Sequence, residues 1–208
     1  MSFIAKLIFS NTSIHYEIAK SSFIIGDLYI LDIFGYYPSF ILSIYSALIS
    51  AGLIIVVPML KFINKPTSIW LNLVFIINLI SSIYFIFFSE YFTYSMWSFL
   101  EIYWKTEIYI WLIIPYFLII GFIPLPAEFL TKLKYVFITL VYAIIFSCIR
   151  YIAIIYILRE FSYIYMAVLF FMFGPFFDLI YIVSFYSVFV NKISKKLRKD
   201  NSKWEWLY

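Results

Sequence analysis

Long apolar runs, broken at intervals by charged or prolyl residues, set the organisation of this chain. From Ser39 to Met59 the run SFILSIYSALISAGLIIVVPM carries no charge and leaves through Lys61 and Lys65-Pro66. Further runs cover about Ile69 to Phe88, Ile108 to Ile123, Tyr135 to Leu158 and Phe161 to Val190. An α-helix needs roughly 20 residues to cross a hydrocarbon core, and these runs are near that length. The strict apolar–polar alternation of a membrane barrel strand is absent. The pattern predicts an all-α fold, a polytopic transmembrane helical bundle with five spans. Pro115 falls inside the third span, which ends in the turn PLPAE. Gly174-Pro175 interrupts the fifth and predicts a kink or a short broken turn there.

The flanks are more mixed. In residues 1–37, Lys6, His15, Glu17, Lys20, Asp27 and Asp32 recur too often for a clean span. This segment is read as interfacial or re-entrant helix, with Pro38 opening the first span. A sixth span within 1–37 is the alternative. MSFIAKLIFS is too short and interrupted for a secretory apolar core, so the N-terminus is expected to stay on the mature protein. The stretch SEYFTYSMWSFLEIYWKTE, residues 89–107, reads as an aromatic, acidic loop lying flat at headgroup level. The organisation expected is therefore an N-terminal segment 1–37, a transmembrane domain 38–190 and a basic tail 191–208.

Composition turns this pattern into a class. The chain is 65% hydrophobic and 12% charged, with a mean hydropathy of +1.01, against about 45–50% and about 25% in soluble domains. A soluble fold of this length has no interior large enough for so much apolar surface. The net charge of +4 sits in loops and the C-terminal stretch, so it is topological information rather than a nucleic-acid footprint. Lys61/Lys65, Lys132/Lys134 and the tail lysines fall on one side of the alternation, which the positive-inside rule makes cytoplasmic. The expected location is the cell membrane, C-terminus inside.

Few residues carry candidate chemistry. Ionisable groups within spans are costly and mark functional sites. Arg150, about 15 residues above the cytoplasmic start of its helix, lies roughly 22 Å up, in the outer half of the bilayer. It is expected to snorkel outward, either holding an anionic ligand or pairing with a loop carboxylate, Glu107 or Glu160. Asp178 invites pairing with Arg150. In a simple hairpin turning at Glu160, however, it lies about eight residues deeper, roughly 12 Å along the axis, a gap that unwound backbone at Gly174-Pro175 would shorten. It is treated as a separate candidate ion or proton site beside the Gly174-Pro175 break. Cys148 points about 200° away from Arg150 and is read as a small buried residue. His15 is read as interfacial. One cysteine and one histidine assemble neither a disulfide nor a zinc cluster. No metal, cofactor or catalytic residue is expected.

From Tyr103 to Val190 the order of features resembles the exosortase/archaeosortase family of membrane transpeptidases. PLPAEFLTKLK has the character of that family's basic cytoplasmic turn, and Cys148-Ile149-Arg150-Tyr151-Ile152 resembles its arginine-bearing stretch. The resemblance implies a site that grips a C-terminal sorting helix through Arg150. The family's nucleophilic cysteine would fall near Tyr103–Lys105 and its histidine near Leu169–Phe173, and neither residue type is there.

Three functions follow as expectations. The first is a non-catalytic accessory or scaffolding subunit of a membrane complex, in contact with the lipid bilayer and partner membrane subunits and with no nucleic acid. The second is a sortase-like protein binding a sorting helix through Arg150. The third is a small transporter or proton pathway using Asp178. Small-residue packing motifs such as GxxxG are absent from the spans.

Overall fold

The computed structural model describes residues 17–23, 26–32 and 34–199. Among them, five helical segments are long and apolar enough to cross a membrane: Phe40–Met59, Lys65–Phe87, Met96–Phe122, Phe129–Glu160 and Tyr163–Leu197. The chain is an all-α, multi-pass integral membrane protein. Among the described residues the helices are α1 (Phe40–Val56), α2 (Lys65–Phe87), α3 (Met96–Phe122), α4 (Phe129–Glu160), α5 (Met166–Phe171) and α6 (Pro175–Lys199). Tight 3-10 turns lie at Val57–Met59, Ser89–Tyr91 and Tyr163–Tyr165. Two compact units divide the chain, one of residues 1–105 and 152–172, the other of residues 106–151 and 173–208.

In the first unit, residues 17–23 and 26–32 of the segment read as interfacial or re-entrant helix form an antiparallel strand pair. β1 (Glu17–Phe23) and β2 (Gly26–Asp32) pair from Glu17 opposite Asp32 to Phe23 opposite Gly26. Tyr29, Ile30 and Ile18 are the aromatic and β-branched types that suit a pleated surface, and Gly26 stands where the chain reverses. Residues 17–23 and 26–32 are strand rather than spanning helix, and residues 1–16, on which the sixth-span alternative also falls, lie outside the described residues. His15 lies outside the described residues, as do residues 200–208 of the tail. Ser21 ties the ribbon to α3, its hydroxyl donating to Glu101 Oε1 at 2.5 Å.

The connection after β2 is held by backbone. Tyr36 N–H donates to Leu158 O and Tyr163 N–H to Tyr36 O, at 3.3 and 3.1 Å. Gly35 N–H donates to the Tyr163 hydroxyl at 3.1 Å. A Cβ at Gly35 would fall into the Tyr163 ring, so this close approach requires glycine.

α1 and α2 meet along a polar seam. Ser43, Ser46 and Ser50 lie at i, i+3 and i+7 on one face of α1, all buried. Asn78 Nδ2 donates to Ser46 and Ser50 at 3.0 and 2.8 Å, and Ser82 donates within 2.8 Å of Ser46. Small side chains let two helices approach, and their hydroxyls bond across the gap where water is absent. The small-residue packing that a GxxxG search misses is thus supplied by serines.

The stretch read as a flat aromatic loop is mostly helix. Only residues up to 95 connect α2 to α3, and residues 96–107 form its first three turns. Met96, Phe99, Leu100, Tyr103 and Trp104 are buried. The charge that suggested a loop is absorbed locally, with Lys105 Nζ 2.7 Å from Glu101 Oε1 one turn away.

The second unit packs residues 106–122 of α3, 129–151 of α4 and the whole of α6. Ile114, Leu118 and Phe122 recur every four residues and put one face of α3 into a core with Val136, Ala143, Tyr181, Phe189 and Ile193. Phe122 stacks on Tyr186, with centroids 5.7 Å apart and planes 7° apart. α6 does not stop at Val190 but runs on through the first nine tail residues to Lys199.

Candidate functional site

The second unit buries the charges that the apolar pattern left exposed to view. α4 carries Ala143, Phe146, Ser147 and Arg150 on one face, at i, i+3, i+4 and i+7. α3 presents Glu107 and, one turn on, Trp111. α6 presents Asp178 and, one turn on, Tyr181. Arg150 is 6% exposed, Glu107 0% and Asp178 1%.

The guanidinium binds on two edges. Nη1 donates to the carbonyls of Phe173 and Gly174, each at 2.8 Å. Nη2 donates to Glu107 Oε2 at 2.7 Å and Asp178 Oδ1 at 2.6 Å. Glu107 Oε2 also accepts from the Ser147 hydroxyl at 2.5 Å, and Ser147 accepts from Trp111 Nε1 at 3.3 Å. The Phe146 ring centre lies 4.9 Å from the guanidinium carbon, within cation–π range. Charge-assisted bonds of this length are the strong class, and satisfied neighbours are what make a buried ion tolerable.

The broken span makes this possible. Gly174 caps α6, its carbonyl accepting from Phe177 and Asp178 N–H at 3.0 and 3.3 Å, and Pro175 takes the first helical position, where no N–H is needed. Residues 172–174 form a turn, which leaves Phe173 and Gly174 carbonyls turned toward Arg150.

Two readings of the sequence are overturned. Arg150 does not snorkel outward; it is buried and engaged by groups of its own chain. Asp178 is not set apart from it but touches it. The hairpin arithmetic assumed two continuous helices, whereas residues 161–174 hold a 3-10 turn, the six-residue α5 and a further turn. Residues in turns do not advance along one axis at about 1.5 Å each, so counted depth does not carry through them.

Of the other candidates, Glu107 pairs with Arg150 from within a helix rather than from a loop. Glu160 belongs to the first unit, where its carboxylate is 3.7 Å from Arg159 Nε. Cys148 is half-buried rather than buried, with a free thiol. Ser147, Trp111, Phe146 and the carbonyls of Phe173 and Gly174 are participants that sequence reading missed. Ser147 had a signal, since it shares Arg150's face one turn before it. The carbonyls had none beyond the glycine–proline pair.

The cluster holds one cation and two acids, a formal charge of −1 with all three ionised. One proton on either carboxyl brings it to neutrality. Glu107 Oε1 and Asp178 Oδ2 are buried and lack a hydrogen bond of standard geometry among the described residues. The Tyr181 hydroxyl stands beside Asp178.

Comparison with known proteins finds no family model, curated protein or solved structure that matches the chain.

Proposed function

We propose that this multi-pass membrane protein is a non-catalytic accessory or scaffolding subunit of a larger membrane complex, in the cell membrane with its C-terminus cytoplasmic. The observation that carries this reading is the internal closure of its most polar buried site. Both terminal nitrogens of Arg150 are directed at acceptors of the chain itself, and the two carboxylates it binds are buried. An arginine so engaged locks helices, and its two terminal nitrogens are taken by groups of its own chain. The surface is rich in large apolar side chains, among them Leu48, Ile80, Phe117, Ile120 and Phe137. Within a bilayer such side chains suit partner helices, since association there rests on packing rather than on water exclusion. Mild extraction followed by native mass measurement tests the proposal. A co-purifying membrane chain at fixed stoichiometry is expected, and a homogeneous lone monomer overturns it.

A second reading, a proton pathway through Asp178, is favoured by one observation. Among the described residues, the buried Glu107 Oε1 and Asp178 Oδ2 lack hydrogen bonds of standard geometry, and both acids belong to the Arg150 cluster beside the turn that opens α6. Reconstituted vesicles carrying an imposed pH gradient test it, and equal proton flux for wild type and Asp178→Asn disposes of it. The sortase-like reading asks Arg150 to grip a substrate carboxylate, which would first have to displace Glu107 and Asp178.

A further inference from the structure

Where α3 turns into α4, the second unit has a groove of about 590 Å³ between residues 126–131 and the last turns of α6. Spacing along α6 sets its chemistry. Phe189, Ile193 and Leu197 follow at four-residue steps and form one ridge. The first two are buried in the core cluster and Leu197 packs against it. Lys192 and Lys196 form the adjoining row, Lys195 stands beside them, and all three are exposed. The Lys192 ammonium lies 5.7 Å from the centre of the Tyr135 ring, which holds it over the edge of the groove. Among the lining residues the acid is Glu128, so three cations face one anion.

The groove also has a defined depth. The span Met96–Phe122 ends just before it, Phe129–Glu160 begins beside it, and Tyr163–Leu197 ends within it. By length and composition, the ends of these spans fall near the level at which hydrocarbon gives way to headgroups. A wall continuous with the spanning core, rimmed by ammonium groups at that level, matches an amphiphile that is negatively charged. A zwitterionic lipid brings no net charge to the lysines, and a small soluble anion leaves the apolar wall uncovered.

We infer that this groove is a binding site for an anionic phospholipid. The headgroup phosphate is held by Lys192, Lys195 and Lys196, and the adjoining acyl segment lies along Ala127, Ile193 and Leu197. Basic residues placed at an anionic bilayer surface attract it strongly enough for the loss to be read residue by residue. The site is independent of what the protein assembles with.

The test reconstitutes the full chain in nanodiscs of phosphatidylcholine mixed with phosphatidylglycerol and counts retained lipids by native mass spectrometry. Wild type is expected to retain phosphatidylglycerol in preference to phosphatidylcholine. The variant K192Q/K195Q/K196Q should lose that preference by about fivefold for each lysine removed. Glu128→Gln, which removes the opposing charge, should strengthen it. K61Q/K65Q, at a different connection, should leave it unchanged, and excess inorganic phosphate should not displace the lipid. No preference in wild type, full retention in the triple lysine variant, equal loss in K61Q/K65Q or displacement by phosphate each overturn the inference. All these side chains are exposed, so unchanged thermal unfolding of the variants is the accompanying check on the fold.

Discussion

Arg150 Nη2 lies 2.6 Å from Asp178 Oδ1 across 28 residues of sequence, and the same nitrogen is 2.7 Å from Glu107 Oε2. One guanidinium therefore joins three helices, α3, α4 and α6, at a single buried point. Its remaining edge closes on two carbonyls at the start of α6, so the cation also braces the break in the last span.

Removing the cation alone should be the most damaging change to this cluster. Arg150→Met leaves two buried carboxylates facing each other, a loss of about 3–5 kcal/mol. Replacing all three, in Glu107→Gln/Arg150→Met/Asp178→Asn, should recover most of that, because no uncompensated charge remains. Equilibrium unfolding in detergent measures both. A triple variant no better than Arg150→Met would mean that the charges do not act as one unit.

The seam between α1 and α2 should behave as a network centred on Ser46, which meets both Asn78 and Ser82. Ser46→Ala should destabilise by about 0.5–1.5 kcal/mol, the range for interhelical hydrogen bonds in membranes. A double-mutant cycle with Asn78→Ala checks it. Strict additivity of the two losses would show that they do not interact.

Gly35 and Gly52 should respond oppositely to alanine. At Gly35 the new methyl would enter the Tyr163 ring and disturb the bonds joining residues 35–36 to Leu158 and Tyr163, while at Gly52 nothing lies within 4 Å of the added Cβ. Gly35→Ala is expected to lower the thermal midpoint, and Gly52→Ala to leave it unchanged or raise it, since alanine favours helix by about 1 kcal/mol. Melting curves under one detergent condition compare the pair directly.

The class of this protein was legible without coordinates. Apolar runs of spanning length, few charges and a glycine–proline pair in the last run identify five spans and a broken fifth. These properties are local, because a bilayer demands that each segment satisfy its own backbone and present apolar side chains. The charges were misread wherever their meaning depended on a partner. Glu107 looked like a loop residue because a linear pattern does not show its contact with Arg150 inside a helix, whereas the i,i+4 pair of Glu101 and Lys105 was already legible in the sequence. Residues 17–23 and 26–32 were read as interfacial helix because charged and apolar residues are mixed there, while strand pairing is fixed only by the two segments meeting. The same limit governed Arg150 and Asp178. Sequence established that both lie within apolar helices. Whether they touch depends on how much axial rise residues 161–174 use up in turns, and only the tertiary structure decided that.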